Sequence, residues 1–391
     1  MTNSTEKAST SGKTLEMLPL FTGPAPCGPD AADAAPARPR LDQPFVLGSV
    51  ATPAGPVPRV TSRLEGSDRW GTLKARWGVG RMDYAVDPGL YALGKPDRES
   101  PVLVSASYKM SFDRLREALP GRNFWVLVLD TKGINVWCAA GKGTFGTDEL
   151  VLRIAASGLA DVVNHRTLIL PQLGAPGVAA HTVKKRSGFV VRYGPIKAED
   201  IPAYLDAGNR ATEAMRVKTF TLRERAVLIP VELVEALRPA LIVAAALFFL
   251  GGLGGPAGYW ANVLHEGAFA ALAFLGAAAG GTVLTPLLLP YLPGRAFAAK
   301  GLWLGLLFAA AVLSLAGIDL TGWPGRFETL AWLLIIPAVT AYLAMNFTGC
   351  STYTALSGVN REMRWALPLE IGMGLTGLLI WIALRLVGAG A

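Results

Sequence analysis

The stretch Phe124-Trp125-Val126-Leu127-Val128-Leu129-Asp130-Thr131-Lys132-Gly133-Ile134-Asn135-Val136-Trp137-Cys138-Ala139-Ala140-Gly141-Lys142-Gly143-Thr144-Phe145-Gly146 decides how the chain is read. Its first six residues are an unbroken apolar run of strand length, the pattern of a parallel strand buried on both faces. Turn formers follow from Asp130 to Gly133. Beyond them one cysteine lies among small residues, where another molecule can come close. A helix is expected to begin inside or just after this cysteine-bearing loop and to continue through Asp148 to Ala156.

Similar elements flank this one. Val102 to Ser105, Thr167 to Leu170 and Phe189 to Tyr193 read as strands, and Phe112 to Leu119 and Ile201 to Ala207 as helices. The alternation predicts a Rossmann-like α/β domain on a parallel sheet. Ligands on such sheets bind beyond the carboxyl ends of the strands. Those ends carry Ser105-Ala106-Ser107-Tyr108, Asp130 to Cys138, Pro171 to Ala175 and Tyr193-Gly194-Pro195. All four are small residues or turn formers, suited to one wide, shared ligand.

Further out, the 391 residues divide sharply. Nearly all charge precedes residue 240, while five apolar segments follow, at about 240–256, 267–290, 301–317, 328–346 and 368–388. Each approaches or exceeds the ~20 residues that cross a bilayer. The expected division is a Pro/Ala-rich disordered tail over 1–60, an α/β domain over 61–210, a charged connector over 211–238 and an all-α transmembrane domain over 239–391. Arg295 and Lys300 follow the second segment, and Arg361 and Arg364 the fourth; the first is followed by no basic residue and the third only by Arg326. The positive-inside rule therefore places the α/β domain in the cytoplasm of a multi-pass inner-membrane protein.

The net charge of +8 comes from 37 Lys+Arg against 29 Asp+Glu. The basic residues are scattered or sit at membrane-helix ends, without the aromatic clustering of a nucleic-acid binder, so no nucleic-acid partner is expected. Arg69-Trp70-Gly71 and Arg76-Trp77-Gly78 form a short repetition too brief to be a structural repeat. Cys27, Cys138 and Cys350 form no CxxC pair, and His165, His181 and His265 lack metal-ligand spacing.

Two phosphate-binding readings of the opening stretch fail. A phosphate loop needs glycine at the position of Val136 and Ser or Thr in place of Gly143. Gly141-Lys142-Gly143-Thr144-Phe145-Gly146 fits GxGxxG formally, but it comes too late after the strand for the tight turn of a dinucleotide site. Cys138 near a helix N-terminus favours the thiolate, a soft donor suited to a transition metal. A single such ligand suits a metal already held by a macrocycle. A buried structural cysteine is the competing reading, and Asn135 serves either as a turn residue or as a donor to the thiolate.

The Asp130 to Gly146 run resembles the cap-helix signature of the mercury-methylating corrinoid proteins, the HgcA family. The resemblance extends through His165 to Gly177, Tyr193-Gly194-Pro195, Asn346 to Thr354 and Ser357-Gly358-Val359. Related segments occur in the corrinoid iron–sulfur protein of the acetyl-CoA pathway. The resemblance implies a cobamide bound base-off, with Cys138 as the lower axial ligand of its cobalt. Around it would lie Asn135, Val136, Trp137, Ala139, Ala140, Gly141, Lys142, Gly143, Thr131, Ser105, Ser107, Gln172, Gly174, Ala175, Tyr193 and Gly194. Ser105 and Ser107 replace Thr and Asn of the family pattern, keeping the hydrogen bonding with a shorter reach. The implied activity is a corrinoid-dependent methyltransferase passing a methyl group to Hg(II). The implied partners are a folate-linked donor acting through a methyltransferase, a small ferredoxin with two [4Fe–4S] clusters, and membrane lipid. Two alternatives stand beside it: a corrinoid methyl carrier of one-carbon metabolism, and a transporter with a regulatory domain.

Overall fold

The computed structural model describes residues 38–254, 257–347 and 356–388. Cys27, Cys350 and the Thr348 to Thr354 part of the motif lie outside them.

Seven strands form one sheet: β1 (Val46–Thr52), β2 (Gly55–Val60), β3 (Gly89–Leu93), β4 (Val102–Ala106), β5 (Phe124–Leu129), β6 (Thr167–Leu170) and β7 (Val190–Tyr193). Their spatial order is β1-β2-β3-β5-β4-β6-β7. All six residues of β5 are buried, as its continuous apolar run requires. The helices of this domain are α1 (Gly66–Arg76), α2 (Lys109–Glu117), α3 (Val136–Lys142), α4 (Thr147–Ala156), α5 (Leu159–Val162), α6 (Ala180–Ser187) and α7 (Ile201–Asp206).

The sheet is mixed, not parallel throughout. β5, β4, β6 and β7 run parallel, while β3 is antiparallel to β5 and β1 to β2. Only residues 94–101 link β3 to β4. That is too short for the crossover a parallel neighbour needs, so β3 turns back along the far side of β5. The β1–β2 hairpin corrects the expectation of a disordered tail reaching residue 60. Thr52 Oγ1 donates to Gly55 O at 2.6 Å across its turn, and Val57 and Val60 are buried on the sheet. Pro56 and Pro58 are tolerated because pairing with β3 begins only at Arg59. The single helix expected through Ala156 is two. Gly143, at φ +85°, ends α3, and α4 starts anew after Gly146.

The parallel strands open a crevice. The chain passes from β4 to β5 on one side, then crosses back to β6 on the other. β4 and β6 pair only through Val102–Leu168 and Leu103–Ile169. Beyond these pairs the two strands part, which is the switch point where ligands enter such sheets.

Five helical stretches are long and apolar enough to cross a membrane: Leu222–Leu250, Tyr259–Leu288, Phe297–Ala316, Trp323–Asn346 and Asn360–Val387. The first begins well before the expected residue 240, because Glu232, Glu235 and Arg238 interrupt the hydropathy without breaking the helix. Small residues bring the third and fourth stretches together: a Cβ on Gly305 would lie 2.5 Å from Pro337 Cα. Arg385 joins three of them by pairing with Glu266 at 3.0 Å and with Glu328.

α1 and α2 are clamped by four buried charges. Lys109 Nζ reaches Asp68 at 2.6 Å and Asp113 at 2.7 Å, while Arg116 reaches the same carboxylates at 2.7 and 2.8 Å. Arg116 also donates to Thr61 O and Arg63 O. Burial alone would raise the Asp68 pKa. Hydrogen bonds from Lys109, the Glu65 backbone and Arg116 outweigh burial and hold it below the usual carboxylate range. The stability that Asp68 contributes is therefore present above the ordinary carboxylate pKa of ~3.9 and is lost as pH falls below it. Asp113→Ala leaves two buried cations sharing one carboxylate and should cost about 3–5 kcal/mol in denaturant unfolding. A change below about 1 kcal/mol would show that the buried cations on α2 do not need the second carboxylate.

Candidate functional site

The turn from β5 into α3 uses two successive left-handed residues, Lys132 at φ +55° and Gly133 at φ +68°. Gly133 must be glycine here, since a Cβ would meet Met82 O at 2.7 Å. Ser107, at the end of β4, fixes the turn from beneath. Its Oγ accepts from Thr131 N at 3.1 Å and Gly133 N at 3.3 Å and lies 3.2 Å from Thr131 Oγ1. Thr131 in turn donates to Ile134 O at 2.7 Å. Asn135 then caps α3, its Oδ1 accepting from Cys138 N at 3.0 Å. The same amide turns its Nδ2 toward Cys138 Sγ at 3.5 Å. Cys138 is a free, half-buried thiol on the first turn of α3.

Ser105, Asn135, Val136, Trp137, Cys138 and Gly194 line one cleft of about 910 Å³ at the strand ends. The other residues singled out by sequence surround or support it. Ala139 and Ala140 are buried in the core beneath α3, whereas Gly141, Lys142 and Gly143 are exposed. Ser107 and Thr131 hold the turn. Gly174 packs under the Phe145 ring, with no room for a Cβ. Gln172 accepts from Arg216 at 2.9 Å, and Ala175 ends the short helical turn Gln172–Gly174. Tyr193 donates to Val178 O at 2.6 Å, and burial raises its pKa.

Two features of the cleft were not legible beforehand. Arg76, Arg81 and Arg114 gather at it, the Arg81 guanidinium lying 5.8 Å from the Tyr108 ring centre. Burial and the charges of Arg114 and Arg81 hold the Arg76 pKa below its usual value. The second feature is a wall from the connector and the start of the first apolar stretch, including Phe220, Val227 and Leu228. Phe220 and Leu228 pack on Leu289, Phe297 and Phe347 of the helical region. Arg225 donates to Leu287 O at 3.1 Å, fastening that wall to the bundle. No local pattern in 220–228 points to the strand ends, because the contact exists only in three dimensions.

Among the described residues no group of three or more His, Cys, Asp or Glu could hold a bare metal ion. Cys138 is a single soft donor beside a broad, partly apolar cleft.

The profile of the family described as CO dehydrogenase/acetyl-CoA synthase delta subunit matches residues 79–205. That span includes β3 to β7 and the whole Cys138 turn. Several similar proteins are named acetyl-CoA decarbonylase/synthase complex subunit gamma. The one from Methanopyrus kandleri is 30% identical over 128 residues, covering 32% of this chain and 27% of the relative. The one from Methanocaldococcus jannaschii is 36% identical over 97 residues, covering 24% and 20%. The one from Methanothermobacter thermautotrophicus is 30% identical over 128 residues, covering 32% and 28%. The chain thus spans about a quarter of the length of these relatives.

Asn135→Ala should cost about 1 kcal/mol of stability through the lost cap, while Asn135→Ser keeps the cap and most of that stability. Thermal unfolding of the two variants checks this; equal stability would show that the α3 cap contributes nothing. The region matched by the family profile supplies the strand ends and the Cys138 turn of the cleft, while Arg76 and the wall of Phe220, Val227 and Leu228 lie outside it.

Proposed function

We propose that this protein is a membrane-anchored corrinoid protein in methyl transfer, in which Cys138 would hold the cobalt of the cobamide. The observation that carries the reading is the Cys138 thiol on the first turn of α3, held by Asn135 inside a wide cleft at the strand ends. The donor set fits the cofactor. One thiolate without companions cannot hold a free ion, but it suffices for a metal whose other positions a macrocycle fills. Val136, Trp137, Leu170, Pro171 and Leu173 give the cleft apolar lining for a flat ring, and Arg76, Arg81 and Arg114 would favour the one anionic group of a cobamide, the phosphodiester of its nucleotide tail. When bound, the corrinoid supplies a cobalt centre that takes up and gives away a methyl group.

The residues have separable tasks. Cys138 would hold the metal as a thiolate, and the Asn135 amide, with Nδ2 3.5 Å from Sγ, would donate to it. Ser107 and Thr131 keep the turn, and hence Sγ, in register with the sheet. Phe220, Val227 and Leu228 close part of the cleft against water.

Two acceptors are compatible with this centre. The Asn135 to Gly146 run favours Hg(II), a soft metal ion matched to methyl transfer from a cobalt carrying a strongly donating thiolate. The similarity to acetyl-CoA decarbonylase/synthase gamma subunits favours a carbon acceptor in one-carbon metabolism. On the first reading the partners are a methyltransferase with a folate-linked donor and a ferredoxin with two [4Fe–4S] clusters; on the second, the other subunits of a complex.

The test offers full-length protein carrying methylated cobamide to Hg(II) and, separately, to an acetyl-CoA-forming synthase. Methylmercury from the wild type, reduced at least ~100-fold in Cys138→Ala, is the result expected for the first reading. Methyl transfer only to the synthase selects the second. Failure of the wild type to retain cobamide would end both.

A further inference from the structure

α1 presents an apolar face away from the α/β domain. Trp70, Leu73 and Trp77 recur at helical spacing, and they are 59%, 44% and 47% exposed. Val79 and Met82 continue the face into the following turn, at 61% and 57% exposed. The opposite side of α1 is the one that packs inward, and it is polar or small. It carries Asp68, within the four-charge clamp, and Gly71 and Ala75, with Gly71 against the Tyr84 ring. An ordinary surface helix points its apolar stripe at the core and its charges at water. Here the clamp takes the inward side, and two tryptophans are left outward with exposed Arg69 and Lys74 beside them.

The position of α1 says what covers this face. Arg76 Nη1 donates to Val227 O at 3.2 Å, and a Cβ on Gly78 would lie 3.6 Å from Val234 Cγ1. Both partners belong to Leu222–Leu250, the first stretch able to cross a membrane. Within that stretch Glu232, Glu235 and Arg238 precede the unbroken apolar run Pro239 to Leu250. The charged turns mark headgroup depth, and the end of α1 meets the helix at that level. Tryptophan with Lys or Arg on an otherwise apolar face is the composition of a segment lying in the membrane interface.

We propose that α1 and the turn after it are a membrane-interface anchor. In this anchor Trp70, Leu73, Trp77, Val79 and Met82 insert at the headgroup–acyl boundary, and Arg69 and Lys74 pair with anionic phospholipid headgroups. Arg76 of the same helix lines the ligand cleft, so the anchor also fixes the cleft relative to the bilayer. The anchor does not depend on which ligand the cleft takes.

The test places full-length protein in nanodiscs of phosphatidylcholine and phosphatidylglycerol, with and without bromine on the upper acyl carbons. Wild type is compared with Trp70→Phe/Trp77→Phe, and the difference isolates the emission of the two tryptophans. That emission should be blue-shifted, lose most of its intensity in brominated lipid and resist aqueous acrylamide. Exposed Leu73→Glu should reverse all three changes in the wild-type background without altering the far-ultraviolet circular dichroism. Red-shifted emission that acrylamide quenches and bromine does not would overturn the proposal and leave the face to a soluble protein partner.

Discussion

β4 and β6 are joined by two residue pairs, Val102–Leu168 and Leu103–Ile169, and the site depends on how soon that pairing stops. Had the ladder continued in the same register, Val104 would face Leu170 and Ser105 would face Pro171, closing the mouth between the two strands. The chain reaches β5 on one side of β4 and β6 on the other, so the loops that follow these strands diverge around the opening. The turn carrying Cys138 comes from one bank, and Gly194 and Pro195 come from the other. The cleft is thus a consequence of strand order before it is a consequence of any side chain.

On that opening the chain builds a rigid mount for one sulfur atom. Ser107 reaches from β4 to the turn after β5, Thr131 closes that turn on Ile134 O, and Asn135 caps the helix that bears the thiol. Ser107 satisfies buried backbone N–H groups, and Thr131 and Asn135 satisfy a partly buried carbonyl and a partly buried N–H. The Cys138 rotation and position are therefore set by hydrogen bonds three and seven residues before it. The connector and the start of the first apolar helical stretch complete the enclosure through Phe220 and Leu228, themselves packed on the ends of the helical bundle. The cleft belongs jointly to the sheet and to the helices behind it.

The parallel core was legible because β4, β5 and β6 are short, largely apolar runs separated by helix-length segments, with β7 following at the same spacing. β3 was not, since Gly89-Leu90-Tyr91-Ala92-Leu93 is short, starts at a turn glycine and has neither period. The β1–β2 hairpin hid in Pro/Ala-rich composition, where only pairing with the sheet reveals the strands. Cys138, Asn135 and Gly194 stood out locally and do line the cleft. Arg76, Arg81, Arg114 and the connector wall lie far from Cys138 in sequence, and only the tertiary fold brings them to it. Ser107 and Thr131, expected around the ligand, hold the backbone turn that carries Cys138.

The central claim is that the Cys138 sulfur ligates the cobalt of a bound corrinoid. Cobalt X-ray absorption on cobamide-loaded full-length protein tests it most directly. The account predicts a sulfur atom in the cobalt coordination shell of the wild type and its loss in Cys138→Ala. Retained cobamide with an identical, sulfur-free shell in both proteins would contradict it.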